Sequence, residues 1–335
     1  MKTKQQSALR MQQLLVVVSV VLFLIKIGAW YLSGSVAILT DALEGTVNVV
    51  AGLIGLYSLR LSFKPKDKEH PYGHGKVEFI SSAIEGTLIS IAGLLIIYEA
   101  IQNLLHPHDI TKLDKGLYLI AFTALVNYIV GHFCVKKGEQ QQSPILIASG
   151  THLKSDTYST LGLMLGLILI LLTGYVWLDS LVALIFALII IITGYKIIRK
   201  SISGIMDESD AQVINEIVTL LNEERIPTWI DVHNMRVINY AGFYHIDCHL
   251  TVPYYINVNE AHEILDSLTA MFTRKFENRV EFFIHVDGCL KQQCRICAIE
   301  PCPHRTQAFE LHIPWTHENI LSNQKHGVAI LPELK

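Results

Sequence analysis

Two pairs of polar side chains interrupt long apolar stretches in the first half of the chain. Glu44 and Asn48 stand four residues apart in DALEGTVNVV, and His152 and Asp156 stand four apart in THLKSD. A spacing of four residues places both members of a pair on one face of an α-helix. Two such helices would together offer two carboxylates, an imidazole and an amide oxygen. Four such ligands suffice for tetrahedral coordination of a divalent cation.

The apolar surroundings indicate a function for these residues. A carboxylate at the centre of a membrane-spanning helix costs about 2.5–3.5 kcal/mol on insertion scales, so such a residue usually faces a cavity and has a function. The alternative is a structural hydrogen bond between helices or a position among the lipid headgroups. We favour that alternative for Asp41. We also favour it for polar residues that stand alone in apolar stretches, namely Lys26, Glu85, Glu99, His132 and Asp179.

A third polar cluster lies between two apolar stretches, in KPKDKEHPYGHGKVE. Asp67, His70 and His74 fall within eight residues there, and Pro71 and Gly73 favour a tight turn. Carboxylate and imidazole groups gathered by a turn could bind a divalent transition metal. A solvated polar loop is the alternative, because the bare pattern D-x-x-H-x-x-x-H is common by chance.

The elements that carry these residues are long and apolar. Only 17% of the 335 residues are charged and 51% are hydrophobic, against about 25% charged in ordinary globular chains. A membrane-spanning helix needs about 20 mostly apolar residues. Six stretches satisfy this, near 12–33, 36–60, 79–104, 114–135, 145–174 and 178–198. The sequence therefore predicts a polytopic α-helical membrane domain with six spans over residues 1–205, and excludes a disordered chain, collagen and a small disulfide scaffold.

Basic residues predict how the spans are oriented. Most of them fall on one side of the membrane, namely Lys2, Lys4, Arg10, Lys64, Lys66, Lys68, Lys76, Lys136, Lys137, Lys196, Arg199 and Lys200. The opposite side has only Lys112 and Lys115. Because basic loops stay in the cytoplasm, we expect both termini there. The expected location is the plasma (inner) membrane, with the chain as a multi-pass protein.

The second half of the chain has the pattern of a small acidic domain. Residues 206–335 carry 18 acidic and 10 basic side chains, whereas residues 1–205 carry 12 and 17. This balance predicts no nucleic-acid partner. Over residues 206–288 the periodicity predicts a cytoplasmic α+β domain, with helices at 211–224 and 259–276 and strands at 229–239, 243–252 and 280–286. Residues 289–335 form a tail rich in Cys, His and Pro, without periodicity.

The tail concentrates thiols. Four cysteines and a histidine fall within sixteen residues, namely Cys289, Cys294, Cys297, Cys302 and His304. Disulfides, inert or redox-active thiols and a metal site are the three interpretations, and the reducing cytoplasm disfavours disulfides. We favour thiolate ligation of zinc. The site could extend the histidine residues that precede it or form a separate knuckle with His304, and the sequence leaves both open.

Together these segments resemble the cation diffusion facilitator family of metal/proton antiporters. The resemblance rests on the six-span layout, on DALEGTVN, HPYGHGKVE and HLKSD, and on a C-terminal domain similar to a small metallochaperone. It runs from about residue 12 to Cys289. It implies a homodimer in the lipid bilayer that exports divalent metal ions in exchange for protons by alternating access. The implied transport site comprises Glu44, Asn48, His152 and Asp156, and the implied loop site comprises Asp67, His70 and His74.

The sequence departs from the family pattern in its transport site. Members usually have Asp or His where Glu44 stands, and Asp where Asn48 stands. Because an amide does not titrate, we expect the exchanged protons to come from Glu44, His152 and Asp156. Zn²⁺ suits a four-coordinate nitrogen and oxygen site and is the family's commonest substrate, so it is ranked first. Mn²⁺, Fe²⁺, Co²⁺ and Cd²⁺ are the alternatives.

The resemblance also implies sites outside the membrane. A binuclear cytoplasmic metal site that regulates transport would comprise His233, His249, His262, His285 and Asp287. A salt bridge associated with the dimer would pair Lys76 with Asp207. Two rival functions remain: a membrane-anchored metal sensor or scaffold without transport, and an intramembrane metalloenzyme. The intramembrane carboxylates disfavour the first, and no H-E-x-x-H or similar motif in a span supports the second, so no enzyme activity is expected.

Overall fold

The computed structural model describes residues 2–33, 36–105, 116–175, 177–277 and 279–328. The side chains of Asp41, Glu44 and Asp179 lie outside the described set, as do Lys112 and Lys115. The chain divides into two compact units, Met1–Met206 and Asp207–Lys335.

In its described residues the first unit consists of six long helices. They are α1 (Lys2–Ser33), α2 (Val36–Ser62), α3 (Val77–Leu105), α4 (Gly116–Gln141), α5 (Pro144–Thr173) and α6 (Trp177–Ile205). The most extensive contacts join α3 to α6, α4 to α5 and α1 to α2, and α2 also packs on α5. Helices satisfy their backbone hydrogen bonds internally, which is what apolar segments in a bilayer require.

Each helix corresponds to one of the six predicted stretches, although α1 begins about ten residues earlier than predicted. By length and hydropathy alone, three described segments could cross a membrane: Gln5–Gly28, Val77–Leu105 and Ser180–Ile205. The helices α2 and α5 carry the polar motifs, and several of their side chains lie outside the described set. Large apolar side chains on the helices, such as Leu24, Leu95 and Leu188, are exposed as expected of a surface that meets lipid.

The second unit contains a three-stranded sheet. Its elements are α7 (Ala211–Glu223), β1 (Asp231–Tyr240), β2 (Phe243–Val252), α8 (Val258–Lys275) and β3 (Val280–Gly288). The strand order is β1-β2-β3, with β1 antiparallel to β2 and β2 parallel to β3. A parallel pair needs a long crossover connection, and α8 provides it. These bounds lie within two residues of the sequence prediction.

Local sequence explains the ends of these elements. The β1–β2 hairpin turns on Ala241 and Gly242, whose φ angles are both positive, as in the two-residue turns that match strand twist. Asp210 caps α7 by accepting hydrogen bonds from two backbone N–H groups. Asn257 and Glu260 form a reciprocal capping box at the start of α8. β1 carries a bulge immediately after His233.

The tail packs against the core of the second unit. It contains a short 3-10 helix (Lys291–Arg295) and one turn of helix, α9 (His317–Ile320). Trp315 and Ile320 are buried in the same apolar core as the sheet and α7. The Arg225 guanidinium lies 4.0 Å from the centre of the Trp315 ring. A segment without periodicity therefore adopts a defined structure through burial of a few large side chains.

Candidate metal centres

The polar motifs of α2 and α5 meet between these two helices. The Asn48 amide nitrogen donates a hydrogen bond to the Asp156 carboxylate at 2.5 Å. One turn earlier on α5, His152 Nε2 lies 3.9 Å from the other oxygen of Asp156. The structure thus brings together three of the four residues expected in the transport site. Of Glu44, only the helical backbone in α2 is described.

Two buried carboxylates on α3 extend the polar interior of the first unit. Glu85 accepts a hydrogen bond of 2.6 Å from the Ser149 hydroxyl on α5, and Gln12 Nε2 lies 3.4 Å from the same hydroxyl. Glu78, seven residues earlier, accepts a hydrogen bond of 2.7 Å from Ser62. The sequence pattern indicated that Glu85 stands alone, and it did not identify Glu78 as a polar residue of the interior. Their spacing of seven on one apolar helix was the signal that could have identified them together.

The loop between α2 and α3 gathers Asp67, His70 and His74, which we call the loop cluster. His70 Nδ1 lies 3.1 Å and His74 Nε2 lies 3.4 Å from the Asp67 carboxylate, and the two rings are 4.3 Å apart. One ligand atom from each of the three residues lies within 4.8 Å of the others. His74 is buried, whereas His70 is exposed.

Local hydrogen bonds form this loop. The Asp67 carboxylate accepts the backbone N–H groups of Glu69 at 3.2 Å and His70 at 2.8 Å, as Asp does in tight turns. Gly73 has φ +95°, a conformation that residues with a Cβ rarely adopt. The Lys64 ammonium lies 2.9 Å from Asp67 and, with the His70 hydrogen bonds, holds the pKa of that carboxyl below its usual range.

In the second unit, three histidines stand side by side across the sheet. His233 pairs with His249 between β1 and β2, and His249 pairs with His285 between β2 and β3. Their ring centres are 5.1 Å apart for the first pair and 4.6 Å apart for the second. Strand pairing places partners on the same face of a sheet, so the register alone makes this row.

Asp287 lies beside this row. Its carboxylate is 3.1 Å from His249 Nδ1, 3.7 Å from His233 Nε2 and 3.7 Å from His285 Nε2. One ligand atom from each of His233, His249 and Asp287 lies within 4.8 Å of the others, and we call these three the cytoplasmic cluster. Two imidazoles and a carboxylate are ligands that suit Zn²⁺ and neighbouring transition metals.

The end of the tail returns to this cluster. The Lys325 ammonium lies 3.1 Å from Asp287. The carbonyl of Ser322 accepts the backbone N–H of Asn234 at 2.7 Å, in the bulge of β1. Although burial raises the pKa of Asp287, hydrogen bonds from Lys325 and His249 outweigh it, so the pKa of this carboxyl lies below its usual range. The carboxylate is therefore charged at neutral pH.

A second buried carboxylate supports His233. Asp231 Oδ2 lies 3.3 Å from His233 Nδ1 and accepts the backbone N–H of His326 at 2.9 Å. The His326 ring contacts the other oxygen. Burial raises the pKa of Asp231, but the hydrogen bonds from His233 and His326 outweigh it and bring the pKa below its usual range. A carboxylate on the far ring nitrogen orients a histidine and strengthens it as a ligand.

His262 and the tail histidine lie apart from this cluster. His262 is on α8, exposed, and 3.8 Å from Asp266. His304 lies against the rings of Tyr254 and Tyr255, with ring centres 5.3 Å and 5.0 Å away. Among the described residues, the groups of three or more ligand atoms within 4.8 Å of one another are the loop and cytoplasmic clusters, and neither includes a cysteine. All four tail cysteines are free thiols.

The two residues of the expected dimer salt bridge fall in different units. Lys76 belongs to the first unit, where its ammonium lies 3.4 Å from the carbonyl oxygen of Ile205. Asp207 begins the second unit. Their pairing stays a prediction.

Comparison with known proteins agrees with this architecture. A family model described as the cation efflux transmembrane domain matches residues 13–206, and one described as the cytoplasmic domain of cation efflux proteins matches residues 210–289. An uncharacterized transporter of Synechocystis sp. is 32% identical over 257 residues, which are 76% of this chain and 83% of that protein. The cation-efflux pump FieF of Shewanella oneidensis is 26% identical over 273 residues, 81% of this chain and 91% of that protein. Metal tolerance protein C1 of Arabidopsis thaliana is 29% identical over 279 residues, 78% of this chain and 58% of that protein.

A helical membrane domain followed by a small cytoplasmic α+β domain defines a class of metal cation transporters. The chain belongs to the cation efflux, or cation diffusion facilitator, family. Its members are transporters and not enzymes, and they export divalent metal cations. The expectations of family, fold class and absence of enzyme activity are confirmed by these matches.

Proposed function

We propose that the chain exports a divalent transition metal, Zn²⁺ first, in exchange for protons, through a site formed by Glu44, Asn48, His152 and Asp156. The observation that supports this proposal is the hydrogen bond between Asn48 on α2 and Asp156 on α5, beside His152. It brings ligands of two helices to one place inside an apolar bundle. Polar groups in such a position cost insertion free energy and mark ion pathways.

The contact between Asn48 and Asp156 also suggests how a metal ion and protons exchange at the site. Asn48 presents its amide N–H group to Asp156, whereas a cation requires the amide oxygen. Metal binding would therefore replace the hydrogen bond and turn the amide over. A metal needs deprotonated ligands, so an arriving cation displaces protons from Asp156, His152 and Glu44. Two carboxylates then balance the charge of one M²⁺ ion.

The donor set defines a class of substrates. One imidazole nitrogen and three oxygens suit Zn²⁺, and also Mn²⁺, Fe²⁺, Co²⁺ and Cd²⁺. The relatives named as a cation-efflux pump and as a metal tolerance protein agree with export of such metals. The choice of Zn²⁺ rests on four-coordinate geometry.

Flux measurements in proteoliposomes test the site. Asp156→Asn keeps the size of the side chain and removes its charge, so Zn²⁺ uptake driven by a pH gradient should fall to the level of protein-free vesicles. Glu139→Gln, an exposed carboxylate near the end of α4, is the matched control and should retain uptake. Uptake at the wild-type rate by Asp156→Asn would refute the assignment. Parallel assays with Mn²⁺, Fe²⁺, Co²⁺ and Cd²⁺ rank the substrates.

The cytoplasmic cluster is proposed to sense metal. His233, His249 and Asp287 would hold one ion, while His285 and His262 are 66% and 73% exposed and remain accessible to a second. A second copy of the chain could complete that coordination, so metal would favour the homodimer by mass action. The salt bridge between Lys76 and Asp207 would support the same dimer. Analytical ultracentrifugation of the full chain with and without Zn²⁺ tests this, and an unchanged dimer fraction would contradict it.

The proposed orientation follows from the basic loops. Both termini are placed in the cytoplasm, and the protein in the plasma (inner) membrane. The loop cluster then lies on the cytoplasmic side, where it could concentrate cations before transport. Reporter fusions after residue 335 and within residues 106–115 should report opposite sides of the membrane.

A further inference from the structure

The four cysteines of the tail lie near one another in the second unit. Cys289 packs against the small buried cluster that contains Cys297, and Arg305 bridges the backbone of Cys294 and Cys297. Burial, a hydrogen bond to Cys302 and the nearby thiols of Cys297 and Cys289 all raise the pKa of the Tyr255 hydroxyl. Cys289 is also within electrostatic range of Cys294 and Cys302. Thiols separated by up to thirteen positions in sequence therefore converge beside Tyr255. This segment begins where the match to the cytoplasmic family domain ends, at residue 289.

Hydrogen-bond donors point at these sulfur atoms. Cys294 accepts the backbone N–H groups of Thr306 and Gln307, and the Thr306 hydroxyl lies 3.5 Å from its sulfur. Cys289 accepts the backbone N–H of Tyr254. Hydrogen bonds of this kind surround metal-bound cysteines.

Arg305 holds the loop that carries the central pair. Its guanidinium donates to the carbonyl oxygens of Cys294 and Cys297 at 3.0 Å each, and to that of Ile299 at 2.7 Å. Cys297 accepts the backbone N–H of Ile299. These contacts define the shape of the C-x-x-C turn and place a positive charge next to it, which favours anionic sulfur ligands.

The arrangement of the cysteines agrees better with an iron–sulfur cluster than with a single zinc ion. A single zinc ion with bonds of about 2.3 Å requires tetrahedral sulfurs roughly 3.8 Å apart. Among the described residues, no three of these cysteines have sulfurs within 4.8 Å of one another. In an iron–sulfur cluster the cysteines stand further apart, because iron and sulfide ions lie between them. The spacing C-x₄-C-x₂-C of Cys289, Cys294 and Cys297 is also one used by ferredoxins, and Cys302 provides the fourth ligand.

We propose that Cys289, Cys294, Cys297 and Cys302 hold an iron–sulfur cluster. The proposed ligand set leaves out His304, whose ring lies against the rings of Tyr254 and Tyr255. The cluster would crosslink residues 289–302, from the end of β3 into the tail. The same tail continues to Lys325, which contacts Asp287, so the cluster lies within the segment that closes over the cytoplasmic cluster.

The content of iron and acid-labile sulfide tests this proposal directly. The full chain is purified in detergent under anaerobic conditions from iron-replete cells. We expect iron and sulfide in equal amounts, about two or four of each per chain, and broad absorption of visible light. Sulfide distinguishes a cluster from iron bound at histidine and carboxylate sites, which contain none.

Variants locate the cluster. Cys294→Ser combined with Cys297→Ser should lose the sulfide and the absorption, whereas Cys134→Ser, at a buried cysteine of α4, should retain both. Wild-type protein without sulfide would overturn the proposal, whether it contains one zinc per chain or no metal in the tail. Full sulfide content in the double variant would overturn it as well. The wild-type measurement is decisive even if the double variant fails to fold.

Discussion

The loop cluster and the cytoplasmic cluster contain the same ligand types in different structural settings. Each has one carboxylate and two imidazoles with ligand atoms within 4.8 Å. Each carboxylate also contacts a lysine, Lys64 at 2.9 Å in the loop and Lys325 at 3.1 Å in the second unit. The loop cluster comes from eight consecutive residues on one turn. The cytoplasmic cluster comes from three strands, and its members are up to 54 positions apart in sequence.

This difference determines how well each cluster is preorganised. The cytoplasmic histidines are fixed by sheet register, and Asp231 holds the far nitrogen of His233. The loop depends on hydrogen bonds of an exposed turn, and among the described residues no carboxylate is found at the other ring nitrogen of His70. Ligands that are already held in place lose less entropy on binding. We therefore expect the cytoplasmic cluster to bind metal more tightly than the loop cluster.

The largest expected effect comes from removing the two carboxylates. Asp287→Ala should abolish the tighter Zn²⁺ site, because this carboxylate contacts both imidazoles of the cytoplasmic cluster. Asp67→Ala should remove only the weaker site, which we expect to bind at least about tenfold less tightly, a difference of about 1.4 kcal/mol. Calorimetric titration of the full chain with Zn²⁺, in an Asp156→Asn background, separates the two. Loss of the tighter site in Asp67→Ala would reverse the comparison.

The Asp231 carboxylate, which holds His233 in place, should affect folding stability. Asp231→Asn removes a buried charge that lies 3.3 Å from His233 Nδ1 and accepts the backbone N–H of His326, and should destabilise the second unit by about 2–3 kcal/mol. The matched variant Asp247→Asn, on the partly exposed face of β2, should change stability by less than about 0.5 kcal/mol. Denaturant unfolding monitored by tryptophan fluorescence measures both. Equal effects would show that the Asp231 hydrogen bonds contribute nothing specific.

The same carboxylate predicts a pH dependence. The pKa of Asp231 is lower in the folded protein than in the unfolded chain, so its ionised form stabilises the fold. That contribution is complete above about pH 4, the ordinary range of an Asp, and is lost as the pH falls through the lower folded pKa. Wild-type stability should therefore decline on acidification below about pH 4 more steeply than that of Asp231→Asn. Parallel curves would contradict the assignment.

A smaller effect is expected at the lysine that contacts Asp287. The Lys325 ammonium contacts Asp287 Oδ1, whereas His233 and His249 are nearest Oδ2. Lys325→Ala removes a cation that repels a metal ion bound through the neighbouring oxygen, so Zn²⁺ should bind about two- to fivefold more tightly at the cytoplasmic cluster. Lys291→Ala, at the start of the 3-10 helix, is the control and should leave the affinity unchanged. Weaker binding by Lys325→Ala would mean that this lysine supports the ligand geometry and does not compete.

The smallest effect is expected at the equivalent lysine of the loop. Lys64 is more exposed than Lys325, so water and salt screen its attraction to Asp67 more strongly. Lys64→Ala should tighten Zn²⁺ binding at the loop cluster by less than about twofold at physiological salt. A change as large as that of Lys325→Ala would show that exposure does not separate the two ion pairs.

Most elements of the fold could be predicted because their signals are local. Apolar runs of about 20 residues identified the long helices, and alternation identified β1, β2 and β3 within two residues. Spacing of four residues placed His152 beside Asp156. The loop cluster needed only a turn, which Pro71 and Gly73 already indicate. The pairing of Asn48 with Asp156 followed once α2 and α5 were expected to meet.

The remaining contacts of the sites join residues far apart in sequence, and no short sequence pattern predicts them. Asp231 and His326 are 95 positions apart, and the tail that carries His326 has no periodicity that predicts its return to β1. The family resemblance grouped His262 with the other histidines, whereas the structure leaves it exposed on α8, because the sheet register gathers only residues of paired strands. Glu78 and Glu85 acquire partners on other helices only after packing.

The sequence by itself determined the class of protein, because membrane insertion and short metal motifs depend on composition and on spacing within one helix or turn. It also determined which residues are chemically able to bind metal. Only the tertiary structure decided which residues of distant segments share a site, and that Lys325 contacts Asp287. These contacts join distant segments through strand register and core burial, and such pairings are chosen by the packing of the whole domain.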